Sequence, residues 1–262
     1  MAKGASKASG GSAMSGSASG LPPVTKILPP PTPQQVAQGN ILPQGGVPFS
    51  DFQSMSDDEK ADVISDALKV GTPIFLDDSG MQRFAYFTGM SEKPTVVSDS
   101  QLDSISGKEI FRNVHDVYDR NTDIGYTAND ICKQISTGDY TMYSDSGGSF
   151  HGKAIYFASS FSDAKDYMDY SKPNRVMRAK ITSGKTIDES TNNNNFARAL
   201  SNGDKLAKAC SRADSASQAS LYALAKGYSV ITDRYTGYNM VLNRSALTVS
   251  DTYKDPKNRG GW

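Results

Sequence analysis

The residue types that could do chemistry gather in one stretch. Ser149-Phe-His-Gly-Lys-Ala-Ile-Tyr-Phe-Ala158 is followed closely by Phe161, Ser162, Ala164, Tyr167 and Tyr170. Gly152 lets a backbone approach a ligand closely. Tyr156 stands in an apolar run and Tyr167 on the helix expected after it. Two aromatic faces so placed can hold a flat ligand between them. The same pattern also serves ordinary packing of a strand against a helix, and the residues alone leave both readings open. Upstream, the Arg112 guanidinium suits forked bonds to a diphosphate, and it suits a strand surface as well. Downstream, Asp233 opens the turn sequence Asp-Arg-Tyr-Thr-Gly237, where an acid is either a turn residue or a reactive carboxylate. His115 and His151 are the only histidines, which disfavours a metal site built on several imidazoles. Cys132 and Cys210 are the only cysteines, which fits reduced thiols rather than a disulfide framework. No glycine-rich phosphate loop, paired CxxC or HExxH motif occurs.

The Gly152–Ala158 segment resembles the signature of the poly- and mono-ADP-ribosyltransferase family, in which a G-x-G-I-Y-F-A strand leads into a helix carrying S-A-x-Y. The resemblance covers about residues 108–250. It implies that Tyr156 stacks on the nicotinamide ring of NAD and that Tyr167 covers the opposite face. It also implies that Arg112 grips the ribose-phosphate side and that the Asn113 backbone lies against the nicotinamide amide. Ala154 replaces the second glycine of the signature, and Ala164 stands where the family often has serine. The closing strands, Ala225–Asp233 and Tyr238–Val249, resemble those of phage-encoded and toxin-like members. The family's catalytic glutamate aligns with Tyr238, and no glutamate follows Glu189. Asp233 is the nearest acid to that position. The implied fold is α+β, an ADP-ribosyltransferase-like split β-sandwich. The implied activity is NAD-dependent mono-ADP-ribosyl transfer to a protein or nucleic-acid acceptor of a host. The alternative is an inactive member of the same fold that serves as a structural or binding component of a phage virion.

Several elements must position these residues. Ser56-Asp-Asp-Glu59 is a capping box for a helix with Val63, Ile64, Ala67, Leu68 and Val70 on one face, stopped by Gly71. Gln82–Phe87 and Asp99–Ile105 read as short helices. Glu109–Val114 reads as a strand, Thr127–Ile135 as a helix capped by Thr127 and ended by Gly138, and Ala154–Ala158 as a strand. A helix over Ser162–Tyr170 carries Tyr167. Arg175–Ile181 is a strand and Asn192–Asn195 a loop. Phe196–Cys210 and Ser217–Lys226 are helices, the second closed by Gly227. Tyr228–Thr232 and Tyr238–Leu242 are strands, and Leu247–Ser250 extends the latter. Strands and helices intersperse without regular βαβ alternation, which predicts α+β.

Composition divides the chain. Residues 1–50 hold 8 of the 23 glycines and 8 of the 12 prolines, with no acid and one aromatic residue, Phe49. Such a segment buries too little apolar area to offset its backbone entropy, so it reads as a disordered arm. By analogy with phage proteins the arm suits attachment to a virion or another large assembly. Residues 51–107 read as a helical lead-in, 108–255 as the main domain and 256–262 as a tail. Lys plus Arg equals Asp plus Glu at 28 each, so no net field favours nucleic acid or a membrane surface. The N-terminus lacks the apolar core of a signal peptide, and no run of about 20 apolar residues occurs. The expected location is a phage virion or the host cytoplasm.

Overall fold

Local capping sets the first helices. The computed structural model describes residues 47–70, 74–76, 93–119, 124–137, 154–213, 215 and 217–257. Gly152, His151, Gly71, Gly138, the Gln82–Phe87 segment and most of the N-terminal arm lie outside the described residues. Strand β1 (Val47–Pro48) leads into helix α1 (Phe49–Ser54). Helix α2 (Asp57–Val70) starts at the expected capping box. There the Ser56 amide donates to Glu59 Oε2 at 2.8 Å, and the Glu59 amide donates to Ser56 Oγ at 3.4 Å. Strand β2 (Phe75–Leu76) pairs in parallel with β1. After β3 (Thr95–Val97), Ser98 and Gln101 form a second capping box for α3 (Asp99–Ser104). Strand β4 (Lys108–His115) is followed by a hairpin of β5 (Val117–Asp119) and β6 (Ile124–Tyr126). Thr127 caps α4 (Ala128–Ser136) as expected.

The second half supplies most of the sheet. It comprises β7 (Ile155–Ala158), α5 (Phe161–Lys165), β8 (Asn174–Ile181), β9 (Lys185–Asp188), α6 (Glu189–Ser201), α7 (Lys205–Cys210), α8 (Gln218–Ala225), β10 (Tyr228–Thr232), β11 (Tyr238–Val241) and β12 (Leu247–Lys254). Eight strands form one mixed sheet in the order β3-β12-β8-β4-β7-β11-β10-β9. The β3–β12 and β9–β10 pairs are parallel, and the other pairs are antiparallel. The chain is therefore α+β around a large mixed sheet. Where a split sandwich was expected, the ladder is continuous. At its centre, however, β4 and β7 are registered at a single pair, Phe111 with Ala158.

Both sheet faces are covered. On one, Ile187, Ile231 and Met240 pack with α1, α2, α6, α7 and α8 through Phe52, Ile64, Phe196, Leu206 and Leu221. Helices of the expected lead-in thus share a core with helices of the 108–255 region. Phe111, Ala158 and Val176 lie on the same face, under Ala164 of α5. On the other face Ile110, Val114, Ile155, Phe157, Met177 and Val241 pack on Ile131, Cys132 and Ile135 of α4. Arg244, entirely buried, donates from Nη1 to the carbonyls of Gln134 (3.1 Å) and Ile135 (2.8 Å) at the end of α4. Gly107 ties the start of β4 to β8. Its φ is 147°, and a Cβ there would lie 2.5 Å from the Ile181 carbonyl oxygen. Gly107→Ala is expected to cost about 1–3 kcal/mol, read as a lower denaturation midpoint. An unchanged midpoint would show that the turn yields freely.

Four expectations are corrected. Asn192–Asn195 is helical, inside α6, although asparagine costs up to about 0.7 kcal/mol per residue there relative to alanine. Tertiary contacts outweigh the propensity. Asp188 caps the helix, Asn192 Nδ2 donates to the Ala219 carbonyl at 2.9 Å, and Phe196 packs on Tyr222. Phe196–Cys210 is two helices, because Gly203 turns at φ 80° and Asp204 caps α7. The helix after β7 ends at Lys165, so Tyr167 lies beyond it. Asn113 Nδ2 donates to the Tyr167 carbonyl at 3.0 Å, taking an acceptor that a longer helix would need. Leu247–Ser250 begins a separate strand. The 3₁₀ turn Arg244–Ala246 carries the chain from β11 to the other half of the sheet, between β3 and β8.

Candidate functional site

The β7–β11 ladder decides where the tyrosines go. Tyr156 pairs with Met240, and Ala158 pairs with Tyr238. Alternation puts Tyr156, Met240 and Tyr238 on one face, with Tyr156 and Tyr238 as diagonal neighbours roughly 7–8 Å apart. Tyr156 is half-buried against the helical core on that face. The Tyr167 ring meets the Tyr238 ring edge to face, with centroids 5.6 Å apart and planes at 79°. Tyr167 is 56% exposed, so one side of this aromatic group opens to solvent. Ala164, 1% exposed, lets α5 seat on Phe111, Ala158 and Val176 beside the tyrosines. The structure thus brings Tyr156, Tyr167 and Tyr238 together.

Arg112 is placed differently. It shares alternation with Ile110 and Val114, which pack on α4, so its side chain leaves the face opposite Tyr156. Its Nη1 donates to the Tyr156 carbonyl at 2.8 Å. The guanidinium therefore bridges β4 and β7 where their backbone pairing stops. Asn113 shares the tyrosine face of β4 with Phe111. Its amide donates to Tyr167 O and, at 3.1 Å, to Asn174 Oδ1. Asn174 Nδ2 in turn donates to the carbonyls of Asp169 and Lys172, both at 2.7 Å. Asn113 and Asn174 together hold the Asp166–Pro173 loop, and with it Tyr167, against the sheet.

Asp233 stands opposite Tyr238 across the β10–β11 hairpin, where its amide donates to the Tyr238 carbonyl at 2.9 Å. One carboxylate oxygen accepts from the Tyr235 amide at 2.8 Å and the other from the Thr236 hydroxyl. Both oxygens are engaged in shaping the β10–β11 hairpin. Among the described residues no group of three or more His, Cys, Asp or Glu could hold a metal. Burial pushes the Cys132 and Cys210 thiols well above their ordinary range, so neither offers a thiolate. No helix among the described residues is long and apolar enough to cross a membrane.

A polar network escaped the sequence reading. Asn239, fully buried, accepts from Lys108 Nζ at 2.8 Å and donates to Phe157 O (3.3 Å) and Ser159 Oγ (3.2 Å). Ser159 Oγ donates to Gly237 O at 2.5 Å. This network locks the hairpin end that carries Tyr238. Its signal in the sequence was a lone amide inside the apolar run Tyr-Asn-Met-Val-Leu242.

The loop bearing Tyr167 has a pH dependence. The Ser171 hydroxyl, then the Ser171 amide, hold the Asp169 carboxyl at about 2, below its ordinary 3.8. A carboxyl depressed in the fold stabilises it above the ordinary value and loses that contribution as pH falls towards the folded one. The Ser171 amide resonance is therefore expected to titrate with a midpoint near 2. A midpoint at 3.8 would show that the loop does not hold the carboxylate. No protein-family model matches this chain, no curated protein matches it, and no solved structure matches its fold.

Proposed function

We propose that this chain binds NAD at the tyrosine face and transfers its ADP-ribose to a host macromolecule, as a mono-ADP-ribosyltransferase. The observation that carries the reading is the convergence of Tyr156, Tyr167 and Tyr238 at one end of the β7–β11 ladder. In the site so read, nicotinamide lies against Tyr156, and the Tyr167 ring shifts from its edge contact to cover it. Aromatic faces suit a planar cationic ring, which is drawn to their negative π-faces. The reaction breaks the bond between the nicotinamide nitrogen and ribose C1′. Nicotinamide leaves with the bonding electron pair as a neutral base. An acceptor nucleophile then bonds to C1′ and gives up its proton. Because Arg112 leaves the opposite face, it supports this site by holding the Tyr156 backbone rather than by clamping phosphate.

A second reading, binding without transfer, is favoured by one observation. Asp233 spends both carboxylate oxygens on its turn, and Tyr238 stands where the resemblance places a glutamate. While its own turn holds the Asp233 carboxylate, a developing oxocarbenium ion loses stabilisation of about 3 kcal/mol or more. Incubation of the pure chain with NAD labelled on the adenosine side, with and without host lysate, separates the two readings. Released nicotinamide together with a labelled macromolecule supports transfer. Binding without nicotinamide release supports the second reading, and absence of binding overturns both.

A further inference from the structure

A second concave surface lies at the β9 edge of the sheet. Helices α6 and α8, with β9 and β10, enclose an open groove of about 360 Å³. This is at the small end of ligand-binding cavities. None of its lining residues belongs to the tyrosine group. Helix α6 presents Asn192 and Asn195 to the groove, with Asn202 just beyond its end. Tyr222 and Tyr228 line it from α8 and β10. Asn192 is 1% exposed and is anchored through Nδ2 to the Ala219 carbonyl, so its amide is held in one orientation. The charges in the wall largely balance. Arg198 and Lys226 are set against Asp204, and Lys226 is already paired with Asp57 at 2.7 Å.

We propose that this groove binds a neutral saccharide, a mono- or disaccharide in size, through its asparagine amides and tyrosine rings. An amide offers a donor and an acceptor side by side, which matches a hydroxyl group that both donates and accepts. Tyrosine rings supply flat apolar surface for the C–H face of a sugar ring and a polar tip for its hydroxyls. A near-neutral wall favours an uncharged ligand over a phosphate. The site also gives a reason for Asn192 and Asn195, the two asparagines of the α6 run that face the groove. Residues with weak helix propensity are retained where they meet a ligand, and local rules break most often at functional sites.

The test is a titration of the ¹⁵N-labelled full chain with glucose, N-acetylglucosamine, cellobiose and chitobiose, each at millimolar concentration. Inorganic phosphate serves as the anionic probe. At least one sugar is expected to shift amides confined to 187–202 and 222–228. Asn195→Ala should weaken that binding about tenfold, the loss of one good hydrogen-bonding group. Alanine is the better helix former, so the variant stays folded and the loss cannot be put down to misfolding. Tyr167→Ala, at an exposed residue of the tyrosine face, should leave it unchanged, which separates the two sites. No shift with any sugar, a response to phosphate alone, or shifts indifferent to Asn195→Ala would overturn the proposal.

Discussion

Arg244→Ala is expected to lower the unfolding free energy by about 3–5 kcal/mol, the largest loss we foresee for any single side chain. Arg244 is fully buried, and its Nη1 serves two carbonyls at the end of α4. A helix end leaves carbonyls without intrahelical donors. Here a guanidinium from the 3₁₀ turn between β11 and β12 supplies the donor. Truncation strands the Ile135 carbonyl in the interior, at about 1–3 kcal/mol, while the Gln134 carbonyl keeps the Thr137 amide. It also opens a void beside α4, the one helix that covers the Ile110 and Met177 face among the described residues. Urea denaturation followed by circular dichroism checks this. A loss under about 1 kcal/mol would mean that water or neighbouring groups replace the guanidinium.

Tyr156→Ala and Tyr167→Ala are each expected to weaken NAD binding about ten- to hundredfold. Stacking on an aromatic side chain contributes about 1–3 kcal/mol per base. The two variants differ in what else they cost. Tyr156 is half-buried against the α6–α8 core, so its truncation also lowers stability. Tyr167 is largely exposed and its ring meets that of Tyr238, so its truncation should leave the denaturation midpoint nearly unchanged. Tyr156→Phe keeps the ring and should keep affinity within about threefold. If Tyr167→Ala binds as wild type does, Tyr167 is an ornament of the loop rather than a wall of the site.

The parts legible in the sequence were those set by local chemistry. The boxes at Ser56 and Thr127 marked helix starts because side chains bond to backbone three residues away. Apolar runs marked β4, β7, β10 and β11. Tyr156 and Tyr238 sat in those runs, and the ladder joined them. What stayed hidden depended on partners distant in sequence. The α6 asparagines are helical because of Asp188, Ala219 and Tyr222. Tyr167 leaves its helix because Asn113, on a strand far upstream, takes its carbonyl. Alternation along β4 already set Arg112 beside Ile110 and Val114. Only the register of β4 against β7 and β8 showed that this is the face away from Tyr156. Edge strand β9 was missed because Lys-Thr-Ile-Asp188 carries one buried apolar residue, Ile187, too little for a pattern.

Calorimetric titration of NAD into the full chain, run beside Tyr167→Ala and Tyr156→Phe, bears most directly on the tyrosine site. We expect one-to-one binding in the wild type, little change in Tyr156→Phe, and a loss of about tenfold or more in Tyr167→Ala. Absence of NAD binding, or binding that ignores both tyrosines, would contradict the assignment of this face as a nicotinamide site.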